Sequence, residues 1–352
     1  MAAGNELIYA LPKKHDYGIG IIGAGGIVNA AHLPAYRKAG LNVVAICDIN
    51  ETAVGLTAKR WEISDYYTDY RKLLARTDIH IIDIAIPNEG RVEIVREAVA
   101  TGKHVLIQKP FAYKHEQALE MVQLARAAGV KLAVNQNARF APFYNVTKQI
   151  IDSGVLGELY LITHEMRINQ DAVMGDTWFA KVPHFLIVDY DIHHIDLMRF
   201  WSGMTPERVF TSTTRMPGQN FASDMIALTT MEFANGLRGS LMTVDTTQSD
   251  DHFWRFTIEG TKGSLYGSIE DNYKFPKIKY SSKDKPDQWI SPYIKGDWFS
   301  DAFYGTMFEL MNAIQEDREP SISGKDNINT LNTMHSIIRS IEEKQVVAVM
   351  DC

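Results

Sequence analysis

Three residues have side chains and positions that suit proton transfer. Lys109 ends an apolar run, and Pro110 favours extended backbone at this lysine. Asp189 and His193 are four residues apart in a segment with helical spacing, so their side chains would share one helix face. An imidazole can act as a general base near neutral pH, a carboxylate can orient it, and an ammonium group can stabilise developing negative charge.

Each of these residues also has a structural interpretation. Lys109 could be a solvated surface lysine, and Asp189 could cap a helix in which His193 is merely structural. The segment Asp189–Asp196 holds several His and Asp residues, which raises the possibility of a metal site. No HExxH spacing or cysteine pair accompanies them, so no metal is predicted.

A glycine turn joins the first predicted strand to the first predicted helix. It contains the predicted cofactor-binding residues Gly23, Gly25, Gly26, Ile27 and Val28. A tight turn, bare backbone and free N–H groups at a helix start are what the pyrophosphate of a dinucleotide requires. The third position of this fingerprint is Val28 instead of Gly or Ala, which predicts looser helix packing or a shifted register.

An acidic residue closes the second predicted strand at a spacing typical of dinucleotide sites. Asp48 lies 25 residues after Gly23, where a carboxylate bonds the adenine ribose hydroxyls. A carboxylate would repel a 2′-phosphate, and no Arg or Lys follows before Lys59, so NAD is favoured over NADP. The alternative is that Asp48 only caps the next helix.

The residues before position 139 alternate between short apolar runs and helical spacing. This alternation predicts an N-terminal Rossmann domain, residues 1–138, with a doubly wound parallel sheet. The predicted strands are Tyr17–Ile22, Asn42–Cys47, Ile79–Ile86, His104–Ile107 and Lys131–Val134, and the helices are Asn29–Ala39, Thr52–Arg60, Val92–Ala100 and Glu116–Ala128. Gly40, Gly102 and Gly129 each follow a helix, where left-handed backbone is expected. Ligands bind at the carboxyl ends of such strands, so Ile86, Pro87 and Asn88 are predicted to be cofactor-binding residues.

The rest of the chain, residues 139–352, has longer strand-like segments that follow one another. They predict an α+β domain with a large, mostly antiparallel open sheet. The strands are Glu158–Asn169, Glu207–Arg215, Ser223–Phe233, Leu237–Thr247 and Phe253–Glu259, with helices Asp189–Trp201, Asp301–Ile314 and Asp326–Glu342 covering one face. Asn235-Gly236 predicts a type I′ hairpin turn, and Ser281–Pro286 a polar loop.

Composition narrows the class of protein. A net charge of −7 over 352 residues argues against a nucleic-acid binder. Cys47 and Cys352 cannot form a disulfide framework, and Cys47 in its apolar run is expected to be a buried hydrophobe. No apolar run is long enough to span a bilayer and no standard signal peptide is present, so a cytoplasmic location is predicted.

Several ordered motifs together resemble the glucose–fructose oxidoreductase / inositol dehydrogenase (Gfo/Idh/MocA) family. They are the glycine turn followed by His32-Leu33-Pro34, Pro87-Asn88, Gly102 to Val105, Lys109-Pro110, Asn137 to Phe140, Asp189 to Asp196, and Gly260 to Leu265. The resemblance covers nearly the whole chain and implies NAD(P)-dependent chemistry on a hydroxyl of a sugar, cyclitol or glycoside. It also implies a homo-oligomer joined through the C-terminal sheet.

The resemblance assigns roles to residues of this chain. It maps the catalytic residues onto Lys109, Asp189 and His193, and adds Gln108 and Asn137 to the cofactor site. Trp178 and His184 are expected to line the substrate site, although ordinary packing explains them equally well. The chain departs from the family pattern at Gln108 (usually Glu), Arg91 (often His) and Asp191 (often Gly).

The resulting hypothesis is hydride transfer between nicotinamide and a secondary carbinol, with His193 as base, Lys109 positioning substrate and Asp189 orienting one of them. Two other classes stay open. One is a cofactor-retaining enzyme that oxidises its substrate transiently and acts as a hydrolase, lyase or isomerase. The other is a non-catalytic NAD-binding sensor.

Overall fold

A computed structural model describes residues 11–270 and 276–350. Within these ranges the chain divides into two units. The first contains residues 11–141 and Trp298–Ile328, and the second contains the described residues of Pro142–Asp297 and those from Asn329 onward. The first unit therefore includes a C-terminal segment that the sequence analysis placed in the second domain.

The sheet of the first unit is parallel and has six strands among the described residues, in the order β3-β2-β1-β4-β5-β6. This order reverses direction at β1, as the predicted doubly wound fold requires, and the prediction is confirmed. The strands are β1 (Ile19–Ile22), β2 (Val43–Cys47), β3 (Asp65–Tyr67), β4 (Ile81–Ile84), β5 (His104–Gln108) and β6 (Leu132–Asn135). Outside β3, where Tyr66 is exposed, their central residues are buried, which explains their largely apolar character.

Five α-helices of this unit precede residue 141. They are α1 (Leu33–Lys38), α2 (Glu51–Trp61), α3 (Tyr70–Leu74), α4 (Arg91–Ala100) and α5 (His115–Ala127). The amide of Ala53 donates to the Asn50 side chain at 3.0 Å, so Asn50 caps α2. Gly40, Gly102 and Gly129 have φ values of 65°, 74° and 68°, which confirms the predicted left-handed positions.

The sheet of the second unit is mixed. Its nine strands in the described ranges have the order β14-β13-β12-β11-β7-β10-β9-β8-β15, and β7 and β10 form its parallel pair. They are β7 (Leu159–Arg167), β8 (Arg208–Thr214), β9 (Ile226–Glu232), β10 (Arg238–Val244), β11 (Phe253–Gly260), β12 (Gly263–Glu270), β13 (Lys277–Ser282), β14 (Lys285–Ile290) and β15 (Val347–Ala348). The predicted large, mostly antiparallel sheet is confirmed.

Two turn predictions in this sheet are wrong. Phe233 pairs with Leu237, and Gly236, with φ 87°, donates to Phe233 O at 3.1 Å, so the hairpin has a three-residue loop instead of a type I′ turn. The segment Ser281–Pro286 is a hairpin between β13 and β14, not an open loop. Its residues Lys285 and Pro286 lie on the exposed edge strand β14, where strands do not need apolar side chains.

The other α-helices in the described ranges are α6 (Pro142–Asp152), α7 (Gln170–Met174), α8 (Ile192–Ser202), α9 (Trp298–Gln315) and α10 (Gly324–Glu343). Helix α8 packs against β7 and α6 in the second unit. Helix α9 packs instead against α1 and the turn Asn137–Phe140 in the first unit, so the prediction that Asp301–Ile314 covers the second sheet is wrong. An apolar helix face is visible in a sequence, but the sheet that it will cover is not.

Candidate active site

The glycine turn has the geometry that a bound pyrophosphate needs. Gly23 has φ 116°, and a Cβ at this position would lie 2.4 Å from the carbonyl oxygen of Ala85, so only glycine fits. At Gly25 and Gly26 a Cβ would meet nothing within 4 Å. The backbone of these two glycines is therefore open to a close approach by a phosphate group, and the residues present fit a dinucleotide.

Val28 begins a π-helical turn, Val28–His32, before α1. Its side chain is fully buried. Val28 in the fingerprint predicted either looser helix packing or a shifted register. The π turn corresponds to the shifted register, because it adds one residue to the helical turn. Ile27 beside it is exposed.

Asp48 holds the glycine turn to the end of β2. Its Oδ2 accepts from the backbone N–H of Ala24 at 2.7 Å, and its Oδ1 accepts from Asn50 N–H at 2.9 Å. Because Asn50 is the cap of α2, Asp48 is not simply a helix cap. It is half-buried, and each of its oxygens has one of these bonds and can accept another from a ribose hydroxyl.

Asn29 also fixes this turn, and the sequence analysis missed it. Its Nδ2 donates to Ala24 O and to Thr57 Oγ1, both at 3.0 Å, while its Oδ1 accepts from Trp61 Nε1 at 3.0 Å. These bonds join the turn to α2. An asparagine in a helical segment is the signal that could have pointed to it, since its side chain competes for backbone groups.

The carboxyl ends of β4 and β5 are held together by Arg91, which the sequence analysis treated only as a departure. Arg91 is buried, and it donates to Ile86 O at 2.6 Å, to Gln108 O at 2.6 Å and to Pro110 O. Burial lowers the pKa of its guanidinium to about 10. Asn88 contacts Pro110 O at 3.5 Å. One cation thus positions the predicted cofactor residues of both strand ends.

The end of β6 contains three buried amide side chains. Asn137 accepts from Trp298 Nε1 at 3.1 Å, so its carbonyl oxygen already has a protein partner. The side chains of Asn135 and Gln136 are fully buried and make no hydrogen bond within the described residues. Buried amides normally have partners, which makes these two candidates that the sequence analysis did not identify.

Asp189 and His193 are less buried than the other Asp and His residues next to them in the sequence. Asp189 lies in a π-helical turn, Leu186–Asp191, that leads into α8, and His193 lies in the first turn of α8. Both are half-buried, whereas Asp191, His194 and Asp196 in the same segment are buried. The predicted catalytic pair is therefore the part of this cluster that stays partly open to solvent.

The buried neighbours have structural partners. Thr243 donates to Asp191 Oδ1 at 2.6 Å, and Thr330 donates to Asp196 Oδ1 at 2.8 Å. Burial raises the pKa of the Asp191 carboxyl to about 7. Burial lowers the pKa of His194 to about 3, and its ring lies against that of His164 with centroids 3.9 Å apart. At neutral pH His194 is therefore uncharged.

The predicted substrate residues Trp178 and His184 precede this segment in the chain. Trp178 is 59% exposed, and its ring stacks on Phe179 with centroids 3.9 Å apart. His184 has left-handed backbone, with φ 49°, and its Nε2 lies 3.4 Å from a Glu342 oxygen. An indole exposed to this extent can contact a ligand.

The other predictions concern cysteine, metal and membrane. Cys47 is a buried free thiol whose pKa is raised to about 12 by burial, so the predicted small buried hydrophobe is confirmed, while Cys352 lies outside the described residues. In residues 11–270 and 276–350, no three His, Cys, Asp or Glu side chains are arranged to bind a metal. The same ranges contain no helix with the length and apolarity needed to cross a bilayer.

Comparison with known proteins gives matches along most of the chain. An uncharacterised oxidoreductase, YrbE of Bacillus subtilis (strain 168), is 26% identical over 88% of this chain and 89% of its own. A D-apiose dehydrogenase of Rhizobium rhizogenes is 26% identical over 94% of this chain and 96% of its own. The solved structure of a levoglucosan dehydrogenase, in complex with NADH and levoglucosan, has a TM-score of 0.81 at 21% identity, covering 96% of this chain and 100% of that one.

Two family profiles match consecutive parts of the chain. Residues 17–136 match the "Oxidoreductase family, NAD-binding Rossmann fold", and residues 144–266 match the "GFO/IDH/MocA C-terminal domain". The first match covers the glycine turn and Asp48, and the second covers Asp189 and His193. The resemblance and the NAD cofactor predicted from the sequence are thereby confirmed. The chain belongs to the Gfo/Idh/MocA oxidoreductases, and its first unit contains the residues that match their NAD-binding Rossmann fold.

Proposed function

We propose that this oxidoreductase oxidises a secondary hydroxyl of a sugar, cyclitol or glycoside, with NAD as the hydride acceptor. One relative is named for its action on D-apiose, and the solved neighbour is a complex with NADH and levoglucosan. Both are small polyhydroxylated molecules, and this chemistry is the class that we assign to the substrate. NADP is the less favoured cofactor, because Asp48 would face its 2′-phosphate.

The cofactor residues that we propose surround the glycine turn and the strand ends. The amides after Gly25 and the open backbone of Gly26 would hold the pyrophosphate, and Asp48 would bond the adenine ribose. Ile86, Pro87, Asn88, Gln108 and Asn137 would line the nicotinamide half, next to Lys109. The nicotinamide, when bound, accepts a hydride from the carbinol carbon.

The observation that carries the catalytic proposal is the selective exposure within Asp189–Asp196. His193 is a partly accessible imidazole on a helix whose other titratable side chains are buried or face structural partners. We assign His193 as the general base that takes the hydroxyl proton. Asp189 orients a reacting group, and Lys109 binds the substrate hydroxyl and stabilises its developing negative charge. Trp178 and His184 would complete the substrate site.

A substrate panel tests the proposal. Inositols, aldoses and glycosides are incubated with NAD or NADP, and reduced nicotinamide is followed by absorbance. We expect stoichiometric NADH with NAD and one group of polyols. Turnover of substrate without release of NADH would favour the cofactor-retaining class, and NAD binding without turnover of any polyol would favour the sensor.

A histidine pair tests the role of His193. His193→Ala should lower turnover by about 10²–10⁴-fold, the usual contribution of a general base. His252→Ala is the matched control, because His252 is also partly exposed in the second unit and lies in a loop before β11. A loss below about tenfold with an unchanged pH profile would remove His193 from the mechanism.

We also propose a homo-oligomer joined through the second sheet, in the cytoplasm. The outward-facing side of this sheet carries exposed apolar side chains, among them Phe210, Leu228 and Tyr266. Light scattering should give the mass of a dimer or tetramer, and Leu228→Lys should lower it, while Ser249→Lys in an exposed loop should not. A wild-type monomer at micromolar concentration would refute the proposal.

A further inference from the structure

A buried chain of polar side chains leads to the backbone of Lys109. Asp83 on β4 is fully buried, and its Oδ2 accepts from the Tyr36 hydroxyl at 2.7 Å and lies 2.6 Å from His32 Nδ1. His32 Nε2 in turn lies 2.5 Å from Nε2 of Gln108. The backbone N–H of Lys109 donates to Oε1 of Gln108 at 3.1 Å. The network therefore runs from a buried carboxylate to the peptide of the proposed substrate-binding lysine.

The direction of each hydrogen bond follows from the contact between Gln108 and Lys109. Because Oε1 of Gln108 accepts from a backbone N–H, the group that faces His32 is the amide NH₂, which can only donate. His32 Nε2 must accept and carries no proton. The proton of the imidazole is therefore on Nδ1, where it is donated to Asp83. This arrangement leaves His32 neutral and in a single tautomer.

The peptide on either side of Lys109 is also held by the Arg91 guanidinium. Its donors reach the carbonyl oxygen of Gln108, just before the lysine, and that of Pro110, just after it. The guanidinium fixes these two carbonyls, whereas His32 fixes the N–H between them through Gln108. The backbone of Lys109 thus has no freedom to rotate without breaking a buried hydrogen bond.

We propose that His32 is a positioning residue for Lys109, acting through Gln108, and that it does so as the neutral Nδ1–H tautomer. The positioning role rests on the proposed function of Lys109, but the proton arrangement does not. Gln108 is the residue that sets this charge state. A glutamate there would keep an acceptor for the Lys109 N–H, but its second oxygen would require a proton on His32 Nε2. His32 would then be an imidazolium between two carboxylates.

Nitrogen NMR of histidine-labelled protein tests the proton arrangement without substrate. In the wild type at neutral pH, the His32 signals should show a protonated Nδ1 and a bare Nε2. In Gln108→Glu both nitrogens should be protonated. A wild-type imidazolium, a wild-type Nε2–H tautomer, or an unchanged His32 in Gln108→Glu would each overturn the proposal.

Kinetics test the positioning role with the substrate found in the panel. Gln108→Met removes both side-chain hydrogen bonds and should lower kcat by about 10²-fold, the cost of misplacing a reacting group by about 1 Å. Gln108→Glu should restore most of this loss, because it keeps the acceptor for Lys109. Lys103→Met is the matched control. Lys103 immediately precedes β5, at the end of the strand opposite Gln108, and its buried ammonium group donates to Arg76 O and Ile79 O. Removing these hydrogen bonds should leave kcat unchanged.

Acetic anhydride labelling of Lys109, read by mass spectrometry, replaces kinetics if no dehydrogenase substrate is found. The labelling rate should change in Gln108→Met and stay near the wild-type value in Gln108→Glu and Lys103→Met. Equal effects of the methionine and glutamate substitutions, or none with methionine, would refute the positioning role. The NMR result decides the tautomer whether or not the methionine variant folds.

Discussion

Asp191→Asn isolates the effect of a buried carboxyl group that lies between the proposed catalytic residues in the sequence. Asp191 is fully buried and accepts from Thr243 Oγ1 at 2.6 Å, while its second oxygen makes no hydrogen bond within the described residues. Burial disfavours the charged form and raises its pKa from 3.8 to about 7, with the Thr243 bond opposing this. Asparagine keeps the acceptor for Thr243 and removes the titrating proton.

The pH dependence of stability follows from the pKa of Asp191 in the unfolded state, 3.8, and in the folded state, about 7. Between pH 3.8 and about 7 the folded state keeps a proton on Asp191 that the unfolded state has released. The folded state binds more protons there, so the free energy of unfolding falls as pH rises, by ~1.4 kcal/mol per pH unit, and levels off above pH 7. From pH 5 to pH 8 this group alone should cost the wild type about 3 kcal/mol.

Urea unfolding at several pH values between 5 and 8 measures this difference. The stability of Asp191→Asn relative to the wild type should rise by that amount over the range. Burial also raises the pKa of Asp245, so this carboxyl gives both proteins a slope of the same sign. The Asp191 charge adds to that rise, so its removal in Asp191→Asn acts in the same direction as the expected difference. Asp251→Asn removes an exposed carboxyl from the same unit and should run parallel to the wild type.

Parallel stability curves for the wild type and Asp191→Asn would refute the reasoning. They would mean that Asp191 ionises at its ordinary pKa despite its burial. A relative stability that falls with pH would contradict even the sign of the effect.

Three further substitutions test the site. Gly23→Ala would place its Cβ 2.4 Å from the Ala85 carbonyl oxygen, so NAD binding measured by calorimetry should be lost, and wild-type affinity would contradict the turn geometry. Asp48→Ala should weaken NAD binding by about tenfold to a hundredfold, the worth of a charged hydrogen bond, with a smaller effect on NADP; equal losses would contradict its ribose role. Arg91→Met removes the guanidinium donor from three carbonyls and should lower the free energy of unfolding by about 3 kcal/mol or more, so unchanged urea midpoints would show that these bonds contribute nothing.

Much of the first unit could be predicted because its signals are local. Apolar runs such as Ile19–Ile22 are buried throughout, and the glycines after helices mark backbone that other residues rarely adopt. The glycine turn and Asp48 could be recognised for the same reason, since their chemistry depends on close sequence spacing.

The features that could not be predicted depend mostly on contacts between residues that are far apart in the sequence. Arg91 looks like a surface cation in the sequence, yet it is buried because three backbone carbonyls converge on it. His32 lies 51 residues from Asp83 and 76 from Gln108, so no periodicity could connect them. The π turn at Val28–His32 shifts side-chain directions in a way that a helical pattern of 3.6 residues does not reveal.

Because Trp298–Ile328 belongs to the first unit, this unit cannot finish folding until late in the synthesis of the chain. A nascent chain that ends at Ala141 lacks the partner of Val134, whose N–H donates to Ile322 O at 2.8 Å, and the indole that bonds Asn137. At ordinary rates of translation, roughly 10–40 s separate the synthesis of residue 141 from that of residue 328. During that interval the NAD-binding unit is incomplete, with the surface for α9 uncovered. A chaperone that shields this surface on the ribosome should therefore raise the yield of active protein, and truncation after residue 141 should give an aggregating fragment.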